Sequence, residues 1–307
     1  MLRIAHISDT HFLSPAGVEW RKMLFNKRIT GYANTVLRRG RVHRREFLVA
    51  VLDAAAANAD HVVVTGDITN LALESEFDEA QALLDPIAHS VEVTVVPGNH
   101  DIYLPPVHHE RRFPHHFGAF LRSDLPELAL ELPAGPFPCV KLRGAVAIIG
   151  LSSAVPRPPF IAAGYLGERQ LIALDRVLAH PEVSRRMPVI LVHHPPVDPR
   201  IRLKQLRDGL VDAASLRTAL ARLDRGLILF GHLHVRVRCV LPTTSGALHV
   251  ICASGAALDH PDPSIRAGFN LYDIDDEGRV VNIEAHVLDE SGASLQRMQI
   301  REQPGCL

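Results

Sequence analysis

Short runs of apolar, often β-branched residues alternate along the chain with longer segments in which apolar residues recur at helical spacing. Runs of about four to eight such residues are typical of buried strands, whereas a period of about 3.6 residues over a longer window indicates a helix. The predicted strands are Leu2–Ile7, His61–Val64, Val91–Val96, Val140–Leu142, Ala145–Leu151, Pro188–Val192 and Leu227–Phe230, followed by 235–241, 247–253, 269–274 and 279–287. The predicted helices are 46–59, 74–89, 167–180 and 213–223. This alternation indicates an α/β sheet flanked by helices.

Polar side chains follow five of the predicted strands at the point where each strand ends. They are Asp9 and His11, Asp67, the run Asn99, His100 and Asp101, then His193, and finally His232 and His234. In open α/β sheets the site lies at the carboxyl ends of the strands. Residues two apart in an extended segment share one face, which applies to both Asp9/His11 and His232/His234. Without His100 and Asp101, seven oxygen and nitrogen donors remain, more than one ion would use.

The donor types restrict the metal. A mixture of carboxylate, amide and imidazole ligands suits divalent Mn, Fe, Zn or Co, and does not suit copper(I) or an iron–sulfur cluster. A glycine precedes Asp67, Asn99 and His232, and glycine permits the tight turns that bring backbone close to a site. The residues alone therefore predict a metal site of more than one ion at the strand ends.

The five segments resemble the signature of the calcineurin-like metallophosphoesterases, which reads DxH, GDxx, GNH[DE], a lone His and GHxH. All five elements occur in that order over residues 9–234. The resemblance is greatest to the bacterial branch that includes cyclic-nucleotide and glycerophosphodiester phosphodiesterases. It implies an α/β (α+β) fold, a four-layer αββα sandwich of two mixed sheets flanked by helices, with a dinuclear metal site at the carboxyl ends of the strands.

The same resemblance implies a role for each site residue. Asp9, His11 and His234 would bind one metal ion, and Asn99, His193 and His232 would bind the other. Asp67 would bridge both ions. His100 would be a catalytic histidine that binds no metal, next to the scissile ester, and Asp101 would orient its imidazole. His194 and Asn70 are expected to support the ligands, and His108, His109, His115 and His116 to be surface or loop residues.

The resemblance also implies the chemistry. A metal-bridging hydroxide would attack the phosphorus of a phosphodiester or phosphomonoester, and His100 would stabilise or protonate the leaving oxygen. The expected substrate is a small molecule or a lipid headgroup. Alternatives are a pyrophosphatase of the type that acts on UDP-diacylglucosamine, or another membrane-lipid phosphoesterase. A DNA-repair nuclease and a non-catalytic scaffold of the same fold are weaker alternatives, and a nucleic-acid partner is not expected.

Composition adds one further feature. The chain has 307 residues, 47% of them hydrophobic, and a net charge of −1. We expect one domain over residues 1–307, with a basic, partly helical, cap-like insert at about 13–45. Residues 20–45 contain nine Lys or Arg and no acidic residue. This segment is either a solvated excursion, a cap over an anionic substrate or a contact with an anionic membrane or lipid.

The expected location follows from the start of the chain and from its apolar runs. No run of 18 apolar residues is present, and residues 1–9 do not have the pattern of a signal peptide. We therefore expect a cytoplasmic protein, with peripheral membrane contact through residues 20–45 as an open alternative. The sequence leaves the oligomeric state open.

Overall fold

Two six-stranded mixed sheets form the centre of the molecule in a computed structural model that describes residues 1–12, 43–197 and 202–303. The predicted insert at 13–45 lies outside the described residues except for 43–45, so its structure stays a prediction. Residues 1–307 as a single domain likewise stay a prediction. Among the described residues, no helix is both long enough and apolar enough to cross a membrane.

The first sheet has the order β14-β13-β12-β1-β2-β3, in which β1, β2 and β3 are parallel and the other neighbours are antiparallel. Its strands are β1 Leu2–Ile7, β2 His61–Val64, β3 Glu92–Val95, β12 Gly268–Ile274, β13 Val280–Leu288 and β14 Leu295–Gln299. The parallel strands are continuous hydrophobic runs because both faces of the sheet are covered. The register pairs Ile4 with His61 and Val62 with Val93.

The second sheet has the order β10-β11-β9-β8-β7-β6, and its four central strands β11, β9, β8 and β7 are parallel. Its strands are β6 Cys139–Arg143, β7 Val146–Gly150, β8 Met187–Leu191, β9 Leu227–Phe230, β10 Val237–Pro242 and β11 Ala247–Cys252. A small separate hairpin pairs β4 Leu130–Leu132 with β5 Gly135–Phe137.

The described helices cover the outer faces of the sheets or lie in the connections beside them. They are α1 Arg45–Asn58, α2 Glu74–Ala88, α3 Pro105–His109, α4 Arg112–Phe117, α5 Glu168–Ala179, α6 Pro181–Ser184, α7 Arg202–Asp208 and α8 Ala213–Leu220, with 3-10 turns at Gly118–Leu121 and Pro126–Leu128. Helix α1 contacts β1, β2 and β12, whereas α5 and α8 contact each other over the second sheet.

The core divides according to the alternation of side chains along the strands of the second sheet. Ile148 belongs to the cluster shared with the first sheet, whereas its neighbours Ala147 and Ile149 belong to the cluster beneath α5 and α8. Successive strand residues point to opposite faces, so one strand serves both interfaces. The order of layers is helix, sheet, sheet, helix, which confirms the predicted αββα sandwich.

Candidate metal centre

All seven predicted ligands lie just beyond the carboxyl ends of parallel strands. Asp9 and His11 follow β1, and Asp67 and Asn99 follow its parallel neighbours β2 and β3. His193, His232 and His234 follow β8 and β9, which are parallel neighbours in the second sheet. The carboxyl ends of the two sheets meet along one edge of the sandwich. Side chains that are far apart in the chain are therefore brought together there.

Three donor atoms form the first cluster. The Nε2 atom of His234 lies 3.3 Å from Asp9 Oδ1 and 3.3 Å from His11 Nε2. His11 Nε2 is 3.9 Å from Asp9 Oδ1. Asp9 and His11 are almost completely buried, and the side chain of His234 is 26% exposed. One face of this cluster is therefore open to an incoming molecule.

A second cluster is built around His193. Its Nε2 atom lies 3.2 Å from Asn99 Oδ1 and 3.2 Å from His232 Nδ1. Its other ring nitrogen, Nδ1, lies 2.7 Å from the carbonyl oxygen of Thr65 and donates to it. A carbonyl partner at Nδ1 fixes the tautomer and leaves the Nε2 lone pair directed into the cluster.

Asp67 lies between the two clusters. Its Oδ2 atom is 3.4 Å from His193 Nε2 and 3.9 Å from His11 Nε2. Its Oδ1 atom accepts a hydrogen bond from the backbone N–H of His100 at 2.8 Å. One carboxylate oxygen therefore reaches both clusters while the other fixes its orientation, which is the arrangement a bridging ligand needs.

The donor atoms fit divalent ions. Ligands that share one such ion at about 2.1 Å lie roughly 3.0–3.4 Å apart, and the shortest distances in each cluster fall in that range. Asp9 Oδ1 is buried without a hydrogen-bond partner. A buried, unsatisfied carboxylate oxygen costs free energy unless a cation or donor meets it. The arrangement as a whole therefore fits a pair of cations.

The backbone of these residues is strained. Asp9, His11, Asp67, His232 and His234 all have φ between 43° and 67°. This left-handed conformation costs an L-residue about 1–2 kcal/mol. Such strain persists where the surrounding structure imposes it, and it is concentrated at functional sites. Here it accompanies the turn of Asp9 and His11 into the first cluster, whereas His232 and His234 are directed to different clusters, the second and the first.

Two glycines allow the loops to approach closely. A Cβ atom on Gly98 would lie 2.2 Å from both the backbone nitrogen and Oδ1 of Asp67. A Cβ atom on Gly231 would lie 1.8 Å from Ser8 Oγ and 2.5 Å from Asp9 Oδ2. Both positions therefore exclude any side chain, which confirms the prediction that these glycines bring backbone to the site.

Burial shifts the protonation of the ligands in opposite directions. It raises the pKa of the Asp9 carboxyl to about 6 and lowers the pKa of the His232 imidazole to about 4. Burial also acts to raise the pKa of Asp67, but the neighbouring His193 and His100 outweigh it and hold that pKa well below its usual range. A divalent cation favours carboxylate and neutral imidazole, the forms in which these groups donate lone pairs.

His100 lies beside the first cluster without being part of its short contacts. Its ring centroid is 4.8 Å from that of His11, in an edge-to-face arrangement. Its Nδ1 atom lies 2.5 Å from the carbonyl oxygen of Asn70, so Nδ1 carries the proton in the neutral ring. Tyr103 stacks on the ring with the centroids 5.4 Å apart. His100 is partly exposed, as a group that meets substrate must be.

Asp101 does not orient the imidazole of His100, contrary to the predicted role. Its carboxylate accepts hydrogen bonds from the backbone N–H groups of Ile68, Thr69 and Gly98 at 3.2, 2.7 and 2.9 Å, and from Thr69 Oγ1 at 3.0 Å. The reason is geometric, since the Asp101 side chain points back towards the preceding loop. The carboxylate joins the loops that carry Asp67 and Asn99, two of the predicted ligands, and does not contact the ring of His100.

His194 is a supporting residue, as the sequence suggested. Its Nδ1 atom lies 2.8 Å from Ser153 Oγ, and its Nε2 atom donates to the carbonyl oxygen of Ala162 at 2.8 Å. Both ring nitrogens are therefore engaged, although the ring lies near His193 and His232. Of the histidines expected at the surface, His109 and His115 are exposed, but His116 is buried against Glu74 at 2.9 Å.

Sequence reasoning missed two residues near the site. Tyr103 gave no signal because a single aromatic residue in a loop has no characteristic pattern. Glu76 is buried, and its Oε2 atom accepts from the backbone N–H groups of Asn70, Leu71 and Leu73. It therefore holds the loop whose Asn70 carbonyl fixes His100. Glutamate at the start of a predicted helix is a usual helix-capping signal, and could have directed attention to it.

Comparison with known proteins gives a family match over most of the chain. The family model for calcineurin-like phosphoesterases matches residues 2–236. A curated relative, a probable cyclic nucleotide phosphodiesterase from Rhodococcus erythropolis (strain PR4 / NBRC 100887), is 29% identical over 194 residues. Those residues make up 62% of this chain and 56% of the relative, so the match spans little more than half of the relative's length.

Two solved structures share the fold. A dimetal phosphatase from Danio rerio has a TM-score of 0.54 and 15% identity, with 97% of this chain and 99% of that chain covered. A purple acid phosphatase from yellow lupin (Lupinus luteus) seeds has a TM-score of 0.59 and 12% identity, with 98% of this chain and 54% of that chain covered. At these identities the likeness concerns the fold alone.

Proposed function

The chain belongs to the calcineurin-like phosphoesterases, and on that premise we propose that it hydrolyses phosphodiesters with a pair of divalent transition-metal ions at the edge where the two sheets meet. The observation that carries the proposal is the pair of donor clusters joined by Asp67 Oδ2, 3.4 Å from His193 Nε2 and 3.9 Å from His11 Nε2. Phosphate-ester hydrolysis is the activity of the family. The choice of a diester is the proposal.

The proposed ligand sets follow the two clusters. Asp9, His11 and His234 hold one ion, and Asn99, His193 and His232 hold the other. Asp67 serves both. Mn, Fe, Zn and Co remain the candidates, because the donor set combines carboxylate, amide and imidazole. When bound, such a pair would neutralise the negative charge of the phosphoryl oxygens and activate water as the nucleophile.

The protein's own contribution beyond the ligands is made by His100. Its ring is fixed at Nδ1 by the Asn70 carbonyl and on one face by Tyr103. The remaining ring nitrogen, Nε2, is then the atom that meets the ester. In the protonated form it stabilises charge on the phosphoryl and leaving oxygens, or gives its proton to the leaving alkoxide, which departs as the alcohol. A positioned acid of this kind contributes about 10²–10⁴-fold in rate.

The substrate proposal rests on the surroundings of the first cluster. A cavity of about 160 Å³ lies beside His11, lined also by His43, Arg44, Arg45 and Glu79. Both arginines are exposed, and Arg44 is paired with Asp259 at 2.8 Å. Cations next to a phosphate-ester site favour a substrate with further negative charge. We therefore propose a phosphodiester with an anionic or lipidic substituent, met through residues 20–45.

A simple cyclic nucleotide is the second candidate substrate, favoured by the 29% identity to a probable cyclic nucleotide phosphodiesterase. The basic segment at 20–45 is longer than that substrate requires, which is why a lipid headgroup or another larger diester is preferred. A cytoplasmic location, with residues 20–45 touching an anionic membrane, remains part of the proposal.

The metal-loaded protein should contain two ions per chain by elemental analysis and should hydrolyse bis(p-nitrophenyl) phosphate. A chelator should abolish this activity, and added Mn or Zn should restore it. Asp67→Ala should lose both ions together, because the bridging carboxylate serves each site. Asp53→Ala, a change at an exposed position of α1, is the matched control. A stoichiometry of one ion, or undiminished hydrolysis in chelator, would refute the two-metal proposal.

A further inference from the structure

Three large apolar side chains lie exposed on two neighbouring segments of the chain. Phe160 is 79% exposed, Leu203 is 75% exposed and Leu206 is 51% exposed. We call these three residues the apolar tip. Leu203 and Leu206 are three apart in α7 and therefore share one helix face. Helix α7 thus turns two leucines to the solvent, the opposite of what packing against the core would produce.

Hydrogen bonds hold the two segments of the apolar tip side by side. The backbone N–H of Ala162 donates to the carbonyl oxygen of Arg207 at 2.7 Å. The N–H of Gly164 donates to the carbonyl oxygen of Gly209 at 2.9 Å. Phe160 is two residues from the first of these contacts and Leu206 is adjacent to it. The apolar tip is therefore carried by two parts of the chain whose backbones run next to each other.

The backbone at Phe160 is held in an unfavourable conformation. Its φ angle is +67°, a left-handed value that is a true outlier for a bulky aromatic residue. Burial cannot explain the strain, because the side chain is 79% exposed. A strained and solvent-exposed aromatic ring at the end of a loop is poorly explained by folding alone. Strain of this kind is typical of segments that serve binding.

The loop that carries Phe160 also contacts the metal centre. The carbonyl oxygen of Ala162 accepts from His194 Nε2 at 2.8 Å, and Ser153 Oγ lies 2.8 Å from His194 Nδ1. His194 is the neighbour of His193, the residue around which the second donor cluster is built. The loop that carries Phe160 is therefore joined through His194 to the side of the site where the second cluster lies.

Basic residues accompany the apolar tip. Residues 200–207 contain four Arg or Lys, three Leu or Ile and no acidic residue. Within the described residues no ion pair involves Lys204, which is exposed. Arg207 is paired with its neighbour Asp208 at 2.7 Å. Apolar side chains with cations beside them match the boundary of an anionic bilayer, where rings and leucines enter the acyl region and cations meet the headgroups.

We propose that the apolar tip, with Lys204, docks this protein on the surface of an anionic lipid bilayer, next to the metal centre. The occupant is the membrane and not a second copy of the chain, because the cations accompanying the tip would repel each other across a symmetric contact. This surface is separate from residues 20–45. The inference concerns binding alone, so it holds whether or not the proposed diester is the substrate.

Sedimentation with vesicles tests the inference, with phosphatidylcholine alone compared with phosphatidylcholine plus phosphatidylglycerol. The metal-loaded wild type should bind the anionic vesicles, and binding should weaken as salt rises. Phe160→Ser and Leu203→Ser should each weaken it by about tenfold, since each removes most of the apolar area that one side chain buries. Lys204→Ser should weaken binding to the anionic vesicles by roughly fivefold. Val281→Ser, a change at a 57% exposed position of β13, is the matched control and should bind as the wild type.

Three outcomes would overturn the inference. They are wild type that does not bind anionic vesicles, tip variants that bind as well as Val281→Ser, and tip variants that convert a wild-type dimer into a monomer in light scattering. The last result would assign the apolar tip to a second copy. Hydrolysis of bis(p-nitrophenyl) phosphate without vesicles should be the same in all these variants, and its absence in the wild type would contradict the phosphoesterase proposal separately.

Discussion

At the scale of single residues, His100 is positioned by its own loop neighbourhood. Its backbone N–H donates to Asp67 Oδ1 at 2.8 Å, and its ring is fixed by the Asn70 carbonyl at Nδ1. The Asn70 loop is in turn held by the buried Glu76 carboxylate. One residue therefore has its ring fixed at Nδ1 while its backbone orients the Asp67 carboxylate.

Replacing His100 should separate chemistry from metal binding. His100→Ala keeps the backbone N–H that orients Asp67, so the metal content should stay at two ions per chain. Turnover of bis(p-nitrophenyl) phosphate should fall by about 10²-fold or more, because the positioned acid is lost. His109→Ala, at an exposed position of α3, should leave both quantities unchanged. Loss of one ion in His100→Ala would instead make His100 a ligand.

At the scale of elements, the loops after β2 and β3 act as one unit. Asp101 accepts hydrogen bonds from the backbone of Ile68, Thr69 and Gly98, which joins the two loops. Gly98 then lies so close to Asp67 that no side chain fits between them. The position of the Asp67 carboxylate is therefore set by contact between the loops that follow two adjacent parallel strands.

A methyl group at Gly98 should disrupt this unit. In Gly98→Ala the new Cβ would lie 2.2 Å from Asp67 Oδ1, so either the carboxylate or the loop must move. We expect loss of at least one ion per chain and a fall in turnover comparable to that of Asp67→Ala. Gly118→Ala is the matched control, since a Cβ there meets nothing within 4 Å. Equal metal content in the two variants would show that the close approach is not needed.

At the scale of the whole molecule, polar groups are buried inside the sandwich as well as at the metal centre. His61 is buried with Nε2 2.9 Å from Thr94 Oγ1, and burial lowers its pKa to about 4. Burial and the nearby Arg236 lower the pKa of His6 to about 3. Glu92, which is paired with His61 across β2 and β3 of the first sheet, accepts hydrogen bonds from Lys141 and Arg143 of the second sheet. Buried neutral histidines and this ion cluster make the packing of the two sheets sensitive to acid.

The stability of the fold should therefore fall as the pH is lowered from about 6.5 to about 4. In the unfolded chain His61 binds a proton with its ordinary pKa of 6.5. In the folded chain its pKa is lowered to about 4, so the imidazole stays neutral until the pH falls to that value. The contribution is thus complete above the unfolded pKa and is lost as the pH drops. Between pH 7.5 and 5.5 the loss from His61 alone is about 1 kcal/mol.

Urea unfolding of the metal-saturated protein at both pH values measures this effect. On acidification from pH 7.5 to 5.5, the free energy of unfolding of His61→Gln should fall by about 1 kcal/mol less than that of the wild type. The exposed His115→Gln should change with pH as the wild type does. An unchanged pH dependence in His61→Gln would mean that this histidine is not held neutral in the folded state.

Most strands and the four longest helices were predicted correctly because each carries a complete local pattern. The alternation of short apolar runs with helical periods located β1, β2, β3, β8 and β9 to within a residue or so of their observed bounds. Helices α6 and α7 and strands β4, β5 and β14 were missed, and the short helices α3 and α4 were not located. Strand β14 at Leu295–Gln299 is a largely polar edge strand, and α7 at Arg202–Asp208 is short and turns its leucines outward. Neither has the apolar face that reveals an element in sequence.

The sequence by itself determined which residues could meet at the site, because polar donors directly after parallel strands must gather at one edge of a sheet. It did not determine which atoms meet. Asp101 was assigned to His100 although its carboxylate binds the backbone of Ile68, Thr69 and Gly98. The contact of His193 Nε2 with Asn99 Oδ1 joins residues 94 positions apart, on different sheets. Only the tertiary structure decided such contacts, since they depend on how two sheets pack and how strained loops turn, and local sequence patterns contain neither.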